Sequence, residues 1–368
     1  MKHKERNSSF ELLRIFSMFF IVAHHYAFYG TFNRTNFVFS HVSALRVNLI
    51  LLFLGKVAVD IFVMIGAYFL SGKIFNFKRP VNLAITTVIY SLSIFSLLMA
   101  FAPEYIWNKE NWFQALLPFP SPTGYWFVDS YLFMLLMMPI LNLCLKNFSL
   151  TKIKYIITLL FILWSLFPTF TTLFNYKLDF DAGNFGYSSG TYFLLIYIIG
   201  GYLRKKGIIS EISLSKEILK IIFLVSISVM YVIVFTRSTT LFSFTSIMAY
   251  LFNPVSLLLA ISIFKCFLKF DFHNNFINYL SGSMFGVYLL HENSFIRPII
   301  WQKLSDSSQY SNNALEYLMY GLQISLLVFV ACIAIDILFR RILLLWPITK
   351  LTEAVSRILA RITKKEGV

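Results

Sequence analysis

Long polar segments are missing from this chain. Charged residues make up 13% of its 368 positions, while hydrophobic residues make up 58%. Soluble domains hold roughly 25% charged and about 45–50% apolar residues. A soluble globular fold is therefore excluded, and no stretch is polar and long enough to form a separate soluble domain. Acidic groups are the scarcest charges: 17 Asp and Glu face 32 Lys and Arg, for a net charge of +15. Cysteine is rare too. Cys144, Cys266 and Cys332 lie inside or beside apolar runs, which argues against a disulfide framework or a thiolate metal site. There is no HExxH pattern, glycine-rich phosphate loop, internal repeat or low-complexity tract. The first apolar run lacks a small-residue cleavage site, so it is expected to remain as a span and not to be removed as a signal peptide.

What the chain does have is one apolar run after another, each long enough to cross a bilayer as a helix of about 20 residues. The expected fold is all-α and polytopic, with about ten transmembrane helices near 10–30, 48–71, 81–102, 126–145, 154–174, 188–203, 217–236, 246–268, 276–301 and 316–346. Residues 1–346 read as one membrane domain and 347–368 as a basic cytoplasmic tail, suited to anionic lipid headgroups.

Lys and Arg set the orientation. With the N-terminus inside, the inner segments hold 23 of the 32 basic residues, the outer segments seven, and the spans Arg14 and Lys56. Both termini are therefore expected in the cytoplasm. The basic charge is a topology signal, not a nucleic-acid footprint. The outer segments, among them "FAPEYIWNKENWFQALLPFPSPTGYW" and "NYKLDFDAGNFGYSSG", are rich in aromatics, as interfacial anchors are, with sugar or lipid contact as the other reading.

Ionisable groups inside spans mark function by default. On the first span Arg14 and His25 are eleven residues apart. At about 100° per residue the pair ends ~20° apart after full turns, with an axial separation of about 16 Å. Their shared face reads Arg14, Met18, Ile21, His25. His24 falls roughly 80° off it, so the geometry pairs Arg14 with His25 and leaves His24 a packing or interfacial role. Arg14 also has the option of snorkelling to inner headgroups. Lys56 and Asp60, four apart on the second span, are expected to pair with each other. Adjacent histidines cannot both face one site on a helix, so no metal is expected.

"ELLRIFSMFFIVAHHY" resembles the opening of the membrane-bound acyltransferase-3 family, whose motif is Arg, ten residues, His; Arg14 and His25 match it. "GKVAVDIFVMIGAYFLSGK" resembles the family's second span, although Ile65-Gly66-Ala67-Tyr68 departs from its usual Ser-Gly-Tyr turn. "YWFVDSYLFMLLMMPILN" resembles a span opening with Trp-Phe and ending at Pro-Xaa-Leu-Asn. "LSGSMFGVYLLHENSFIRPIIW" resembles a late span with a Gly-Xaa-Tyr-Leu-Xaa-His core. The four motifs occur in the family's order across nearly the whole chain. Among subgroups, the resemblance is to bacterial enzymes that O-acetylate capsular or other surface polysaccharides, with no esterase-like domain expected after the last span.

The resemblance implies a plasma-membrane O-acyltransferase that takes an acyl group, acetyl in this reading, from acyl-CoA on the cytoplasmic side. The acceptor it implies is a hydroxyl of a surface glycan or its lipid-linked precursor. Arg14 then binds a CoA phosphate through its planar fork. His25 acts as general base or as a transient nucleophile, and the sequence leaves both open. His291 carries the family match in the late span. Glu292 and Asp129 lie at comparable depth, and a carboxylate can orient His25 and stabilise its protonated form. Arg297 reads as interfacial, or as a contact for an acidic sugar. The rival readings are a glycan transporter, which would show repeats and broken helices in matching halves, and a polytopic glycosyltransferase with a large acidic loop.

The orientation is checked by cysteine accessibility labelling in a cysteine-free background. Cysteines placed in the loops around Asn111 and Phe180 are expected to react from outside the cell. Labelling from the cytoplasmic side alone would reverse the map.

Overall fold

The computed structural model describes residues 7–32, 39–120, 124–174 and 186–365. Lys2, Lys4, Arg6, Arg34, Lys177 and the loop around Phe180 lie outside the described residues. The described chain is helical, without strands. In order come α1 (Ser8–Tyr29), α2 (Val42–Leu70), α3 (Lys78–Phe101), two short helices α4 (Pro103–Ile106) and α5 (Lys109–Leu116), then α6 (Trp126–Asn147) and α7 (Leu150–Phe161). α7 runs through a π turn into α8 (Phe167–Leu173). There follow α9 (Ser189–Lys206), α10 (Leu214–Phe235), α11 (Thr239–Phe242), α12 (Pro254–Leu268), α13 (Asn275–Ser281), α14 (Met284–His291), α15 (Ala314–Asp336) and α16 (Leu345–Lys365).

Seven helical runs among the described residues are long and apolar enough to cross a membrane, and an eighth forms if the pair Thr239–Ala249 and Pro254–Leu268, bent by 42°, counts as one span. The all-helical membrane architecture thus matches the expectation, but not the count of about ten. Two of the expected spans account for the difference. α9 is continuous for 18 residues, yet Arg204, Lys205 and Lys206 occupy its last turn, and the ~15 residues before them reach only about 22 Å. The expected ninth span is broken at Gly282–Ser283 into α13 and α14. At the C-terminal end, α15 passes through a π stretch into α16 without a break, so the helix continues across the expected domain boundary to Lys365.

Helix ends are defined by local chemistry. The Asn7 side chain accepts from Ser9 N–H at 2.8 Å and starts α1. Ser188 and Thr191 form a reciprocal capping box that starts α9. The opposite end of α9 caps its neighbours. Arg204 Nη1 donates to the carbonyls of Tyr68, Phe69 and Ser71 at the end of α2 (3.2, 3.2 and 2.5 Å). Lys205 Nζ donates to Leu145, Lys146 and Phe148 at the end of α6 (2.6, 3.2 and 2.6 Å). Cations there satisfy carbonyls that lack a helical partner and complement the negative end of the dipole.

α2 is the hub, packed against α1, α9, α10, α12 and α15, and its closest association is with α1. Gly55 makes that contact possible. A Cβ built there would fall 2.2 Å from the Cβ of His24. His24 seats its ring in the gap, with Nδ1 2.9 Å from the Leu52 carbonyl oxygen. A second lock holds α14. Asp336 is fully buried and accepts from Arg340 Nε and Nη2 at 2.8 and 2.9 Å and from the Tyr90 hydroxyl at 2.5 Å. Its carboxylate lies where a Cβ at Gly286 would sit, 1.7 Å away. The first lock joins α1 to α2 and the second joins α14 to α15 and α3; α1 also packs against α14 and α15, and α1, α2 and α14 carry the site.

Gly55→Ala separates packing from propensity. Alanine gains about 1 kcal/mol of helix propensity over glycine. The clash is with an atom fixed to the α1 backbone, however, and cannot swing aside. Overpacking of this kind costs about 1–3 kcal/mol. A lower unfolding temperature in detergent is expected; an unchanged or higher one would show that the α1–α2 contact tolerates widening.

Candidate active site

His25, His291 and Glu292 meet in the protein interior. One nitrogen or oxygen from each lies within 4.8 Å of the others, and all three residues are buried. His25 comes from the upper part of α1. His291 is the last residue of α14, and Glu292 is its C-cap, whose backbone N–H still bonds the Tyr288 carbonyl. α14 stops here because Asn293 turns the chain: its side-chain oxygen accepts from Phe295 N–H at 3.0 Å, the local bond that lets Asn compete with a helix.

The hydrogen bonds determine which nitrogens carry protons. His291 Nδ1 lies 2.6 Å from the Val287 carbonyl oxygen. A carbonyl only accepts, so this nitrogen bears the hydrogen. In the neutral ring Nε2 is then an acceptor. His25 Nδ1 is 2.8 Å from that Nε2, so His25 donates through Nδ1 and keeps its lone pair on Nε2. That nitrogen lies 3.3 Å from Glu292 Oε2. Glu292 is held through its other oxygen: Oε1 accepts from the Tyr29 hydroxyl at 2.9 Å and from Arg297 Nη1 at 3.2 Å. Arg297 Nη1 also reaches the Tyr29 hydroxyl at 3.1 Å, and its guanidinium lies 4.3 Å from the Tyr29 ring centroid.

Two acceptors, His25 Nε2 and Glu292 Oε2, therefore converge on one spot, which suits a hydroxyl donor. A His2Glu set is also a known zinc donor set, with metal–nitrogen distances of about 2.0–2.1 Å. Two nitrogens on one tetrahedral ion would stand roughly 3.3 Å apart. The 2.8 Å between His25 and His291 is a hydrogen-bond length, and His291 Nε2 is already engaged by it.

Beside this cluster lies a cavity of about 190 Å³ lined by apolar residues of α1, α2, α6 and α14, with His24, His25, Tyr29 and Lys56 among its walls. Met18, Ile21 and His25 line it together, as their shared face on α1 predicts. His24 departs from expectation. It reaches the same cavity, because its ring lies over Gly55 and stacks on Phe28 with centroids 5.7 Å apart. Its Nδ1 hydrogen bond goes to the Leu52 carbonyl of α2.

Other sequence candidates lie elsewhere. Arg14 sits near the start of α1, below the cavity, and pairs with Glu11 at 2.5 Å, a partner the sequence reading did not consider. Asp129 occupies the first turn of α6, where a carboxylate complements the helix dipole; its neighbours Trp126 and Phe127 reach the cavity instead. Lys56 and Asp60, four apart on α2, act on each other's charge and each also meets a further neighbour. Asp60 is fully buried and accepts from Ser256 Oγ at 3.2 Å, while Lys56 lines the cavity, its Nζ 5.8 Å from the Trp126 ring centroid. Arg297, read from sequence as interfacial, orients Glu292.

Tyr125 and Asn293 were not singled out by the sequence. The Tyr125 hydroxyl donates to the Leu289 carbonyl and accepts from Asn293 Nδ2, both at 2.8 Å. The pair thus brackets the turn that presents His291 and Glu292. Tyr125→Phe removes both bonds and keeps the ring. Displacing a catalytic group by about 1 Å can cost ~10²-fold, so turnover is expected to fall by about 10- to 100-fold at unchanged protein level. Wild-type turnover would show that packing alone holds the turn.

No curated protein and no solved structure matched the chain in comparisons of sequence and fold. A family model described as an acyltransferase domain matches residues 7–339. That span covers the described helices α1 to α15 and all of His25, His291 and Glu292, and the chain belongs to the acyltransferase-3 family.

Proposed function

We propose that this membrane acyltransferase moves an acetyl group from acetyl-CoA to a hydroxyl of a cell-surface polysaccharide or its lipid-linked precursor. The convergence of His25 Nε2 and Glu292 Oε2 beside a small cavity carries the reading. The acceptor hydroxyl approaches from the cavity and donates its one proton to His25 Nε2. His25 takes its proton on Nε2 as the oxygen attacks the thioester carbonyl, and the bond to His291 keeps the other nitrogen protonated throughout. Glu292, held by Arg297 and Tyr29, stabilises the imidazolium. The proton then passes to the departing CoA sulfur. No metal takes part in this scheme.

Cavity size supports a short acyl group. A cavity of about 150 Å³ accommodates benzene, so about 190 Å³ suits a thioester and an acetyl group, not a long acyl chain. Charge supports an anionic donor on the basic side. An open cavity of about 650 Å³ there is lined by Lys73, Lys146, Arg204 and Lys205. Burial, and then the nearby Arg79 and Arg204 guanidiniums, hold the Lys73 amine below its ordinary value; a phosphate would relieve that crowding. Along α2, Ser71 in this cavity and Lys56 in the other are fifteen residues apart, or about 22 Å, a gap for the slender pantetheine arm to bridge. Arg14, oriented by Glu11, lies on the same basic side and contributes to donor binding. The membrane is the bacterial plasma membrane in this reading, with both termini in the cytoplasm.

The test is acyl transfer from labelled acetyl-CoA in membranes with matched protein levels, with mass spectrometry of surface glycan from deletion and complemented strains. One acetyl per repeat is expected to vanish on deletion. General-base catalysis contributes about 10²–10⁴-fold, and His25→Ala should lose activity in that range. His24→Ala should lose far less, through packing against Gly55. Equal losses would make the two histidines a functional unit and undo the assignment of the base.

A further inference from the structure

The proposed reaction creates a negative charge that the residues considered so far do not stabilise. When the hydroxyl oxygen bonds to the thioester carbon, the carbonyl π pair moves onto oxygen. The cavity wall is mostly hydrocarbon and aromatic: Met18, Ile21, Val59, Phe62 and Phe127 among others. An alkoxide in such surroundings needs a donor or a cation directed at it. Glu292 repels it. The Tyr29 hydroxyl is committed to Glu292 and Arg297. Among the described lining residues, Lys56 is the one whose side chain ends in an amine.

Lys56 is placed there by the packing. His24 fills the notch left by Gly55, which sets α1 against α2 with adjacent residues in contact. His25 follows His24 and Lys56 follows Gly55, and both line the same cavity. Trp126 forms the far wall, with its ring centroid 5.8 Å from Lys56 Nζ, at the outer reach of a cation–π contact of about 6 Å. Charged and titratable groups near the ammonium include His24 and His25 on α1, Glu292 beyond them, and Asp60 one turn along α2. A lysine in the wall of a membrane cavity is costly and is retained for a purpose.

We infer that Lys56 is a catalytic residue that stabilises the oxyanion formed during acyl transfer. This rests on the acyl-transfer reading of the same site. The step balances without any further reactant. The hydroxyl proton goes to His25, the C–O bond forms, and the negative charge rests on the carbonyl oxygen opposite Lys56 Nζ. The charge then returns to carbon as the C–S bond breaks, and the sulfur takes the proton from His25. The ammonium keeps its protons throughout.

The test compares wild type, Lys56→Met and Lys56→Cys, the last in a background lacking Cys144, Cys266 and Cys332, with acetyl-CoA as donor. Removing one oxyanion donor costs about 10²–10³ in kcat. Both variants should show that loss, with KM for donor and acceptor near wild type and with the pH profile set by His25 unchanged. Alkylating the cysteine with bromoethylamine rebuilds an ammonium of nearly lysine length and should restore most of the turnover, which a purely structural role would not predict. Full kcat in Lys56→Met would overturn the inference. So would a raised KM at constant kcat, which would mean ground-state binding of an anionic substrate group, or a cysteine variant that alkylation does not rescue. If Lys56→Met failed to insert, the cysteine and its alkylated form would decide the matter in one protein preparation. A wild type inactive with every acyl-CoA would instead remove the functional reading itself.

Discussion

One backbone carbonyl decides the chemistry of this site. The oxygen of Val287 can only accept, so the hydrogen of His291 is fixed on Nδ1. His291 Nε2 must then accept, and His25 must donate to it through Nδ1. The basic nitrogen of His25 is left facing the cavity and Glu292. No carboxylate is needed to select the tautomer; a main-chain group within α14 does it, one helical turn below His291. This leaves Glu292 on the side of His25 that carries the lone pair.

The constraint reaches through the fold because the relay joins two distant parts of the chain. His25 and His291 are separated by 266 positions, so α1 and α14 must be held in register to a few tenths of an ångström. α1 is fixed against α2 by His24 in the notch of Gly55. α14 is fixed below by Asp336 against Gly286 and above by Tyr125 and Asn293. The segment beyond Glu292 is covered by α4 and α5, whose Ile106 and Ala115 pack with Phe95 and Phe295 into a small separate core, while Gln114 donates to Ser294 at 3.0 Å. The aromatic outer segment is thus more than an interfacial anchor. It forms the roof of the turn that presents the carboxylate.

The sequence exposed some of this and hid the rest for physical reasons. Helical periodicity gives the faces of a single helix, so the alignment of Met18, Ile21 and His25 was legible. It cannot show what a neighbouring helix offers, and so the notch at Gly55, which draws His24 to the cavity rim, was not. The i, i+4 spacing of Lys56 and Asp60 brings the two charges close enough to act on each other, but it could not show that Asp60 also meets Ser256 of α12 and that Lys56 also borders the cavity beside Trp126 of α6. At the first turn of α6 one cannot tell from sequence which residues reach the cavity, and Trp126 and Phe127 do. Counting apolar runs overstated the continuous spans, because hydropathy does not register the break at Gly282–Ser283 or the cations that close α9. Two signals were available for residues left unassigned. Asn293 directly after His-Glu is a helix stop that also brackets the turn, and Arg297 five positions beyond Glu292 lies within reach of it.

The charges fall into two groups that solve different problems. Arg204 and Lys205 satisfy carbonyls at helix ends while bordering the basic cavity, and the buried Asp336, paired with Arg340, binds α15 to α3 and α14. Around the apolar cavity the polar groups are arranged the other way. His25 Nε2 and Glu292 Oε2 face each other as two acceptors, and Lys56 borders hydrocarbon and an aromatic ring. A membrane interior penalises two acceptors left facing each other, and it penalises a charge set beside hydrocarbon. Packing alone would have selected apolar residues at these positions. A hydroxyl donating to His25 Nε2 would relieve the two facing acceptors, and a negative charge developing near the lysine would be favoured, which is what complementarity to a transition state, and not to a ground state, requires.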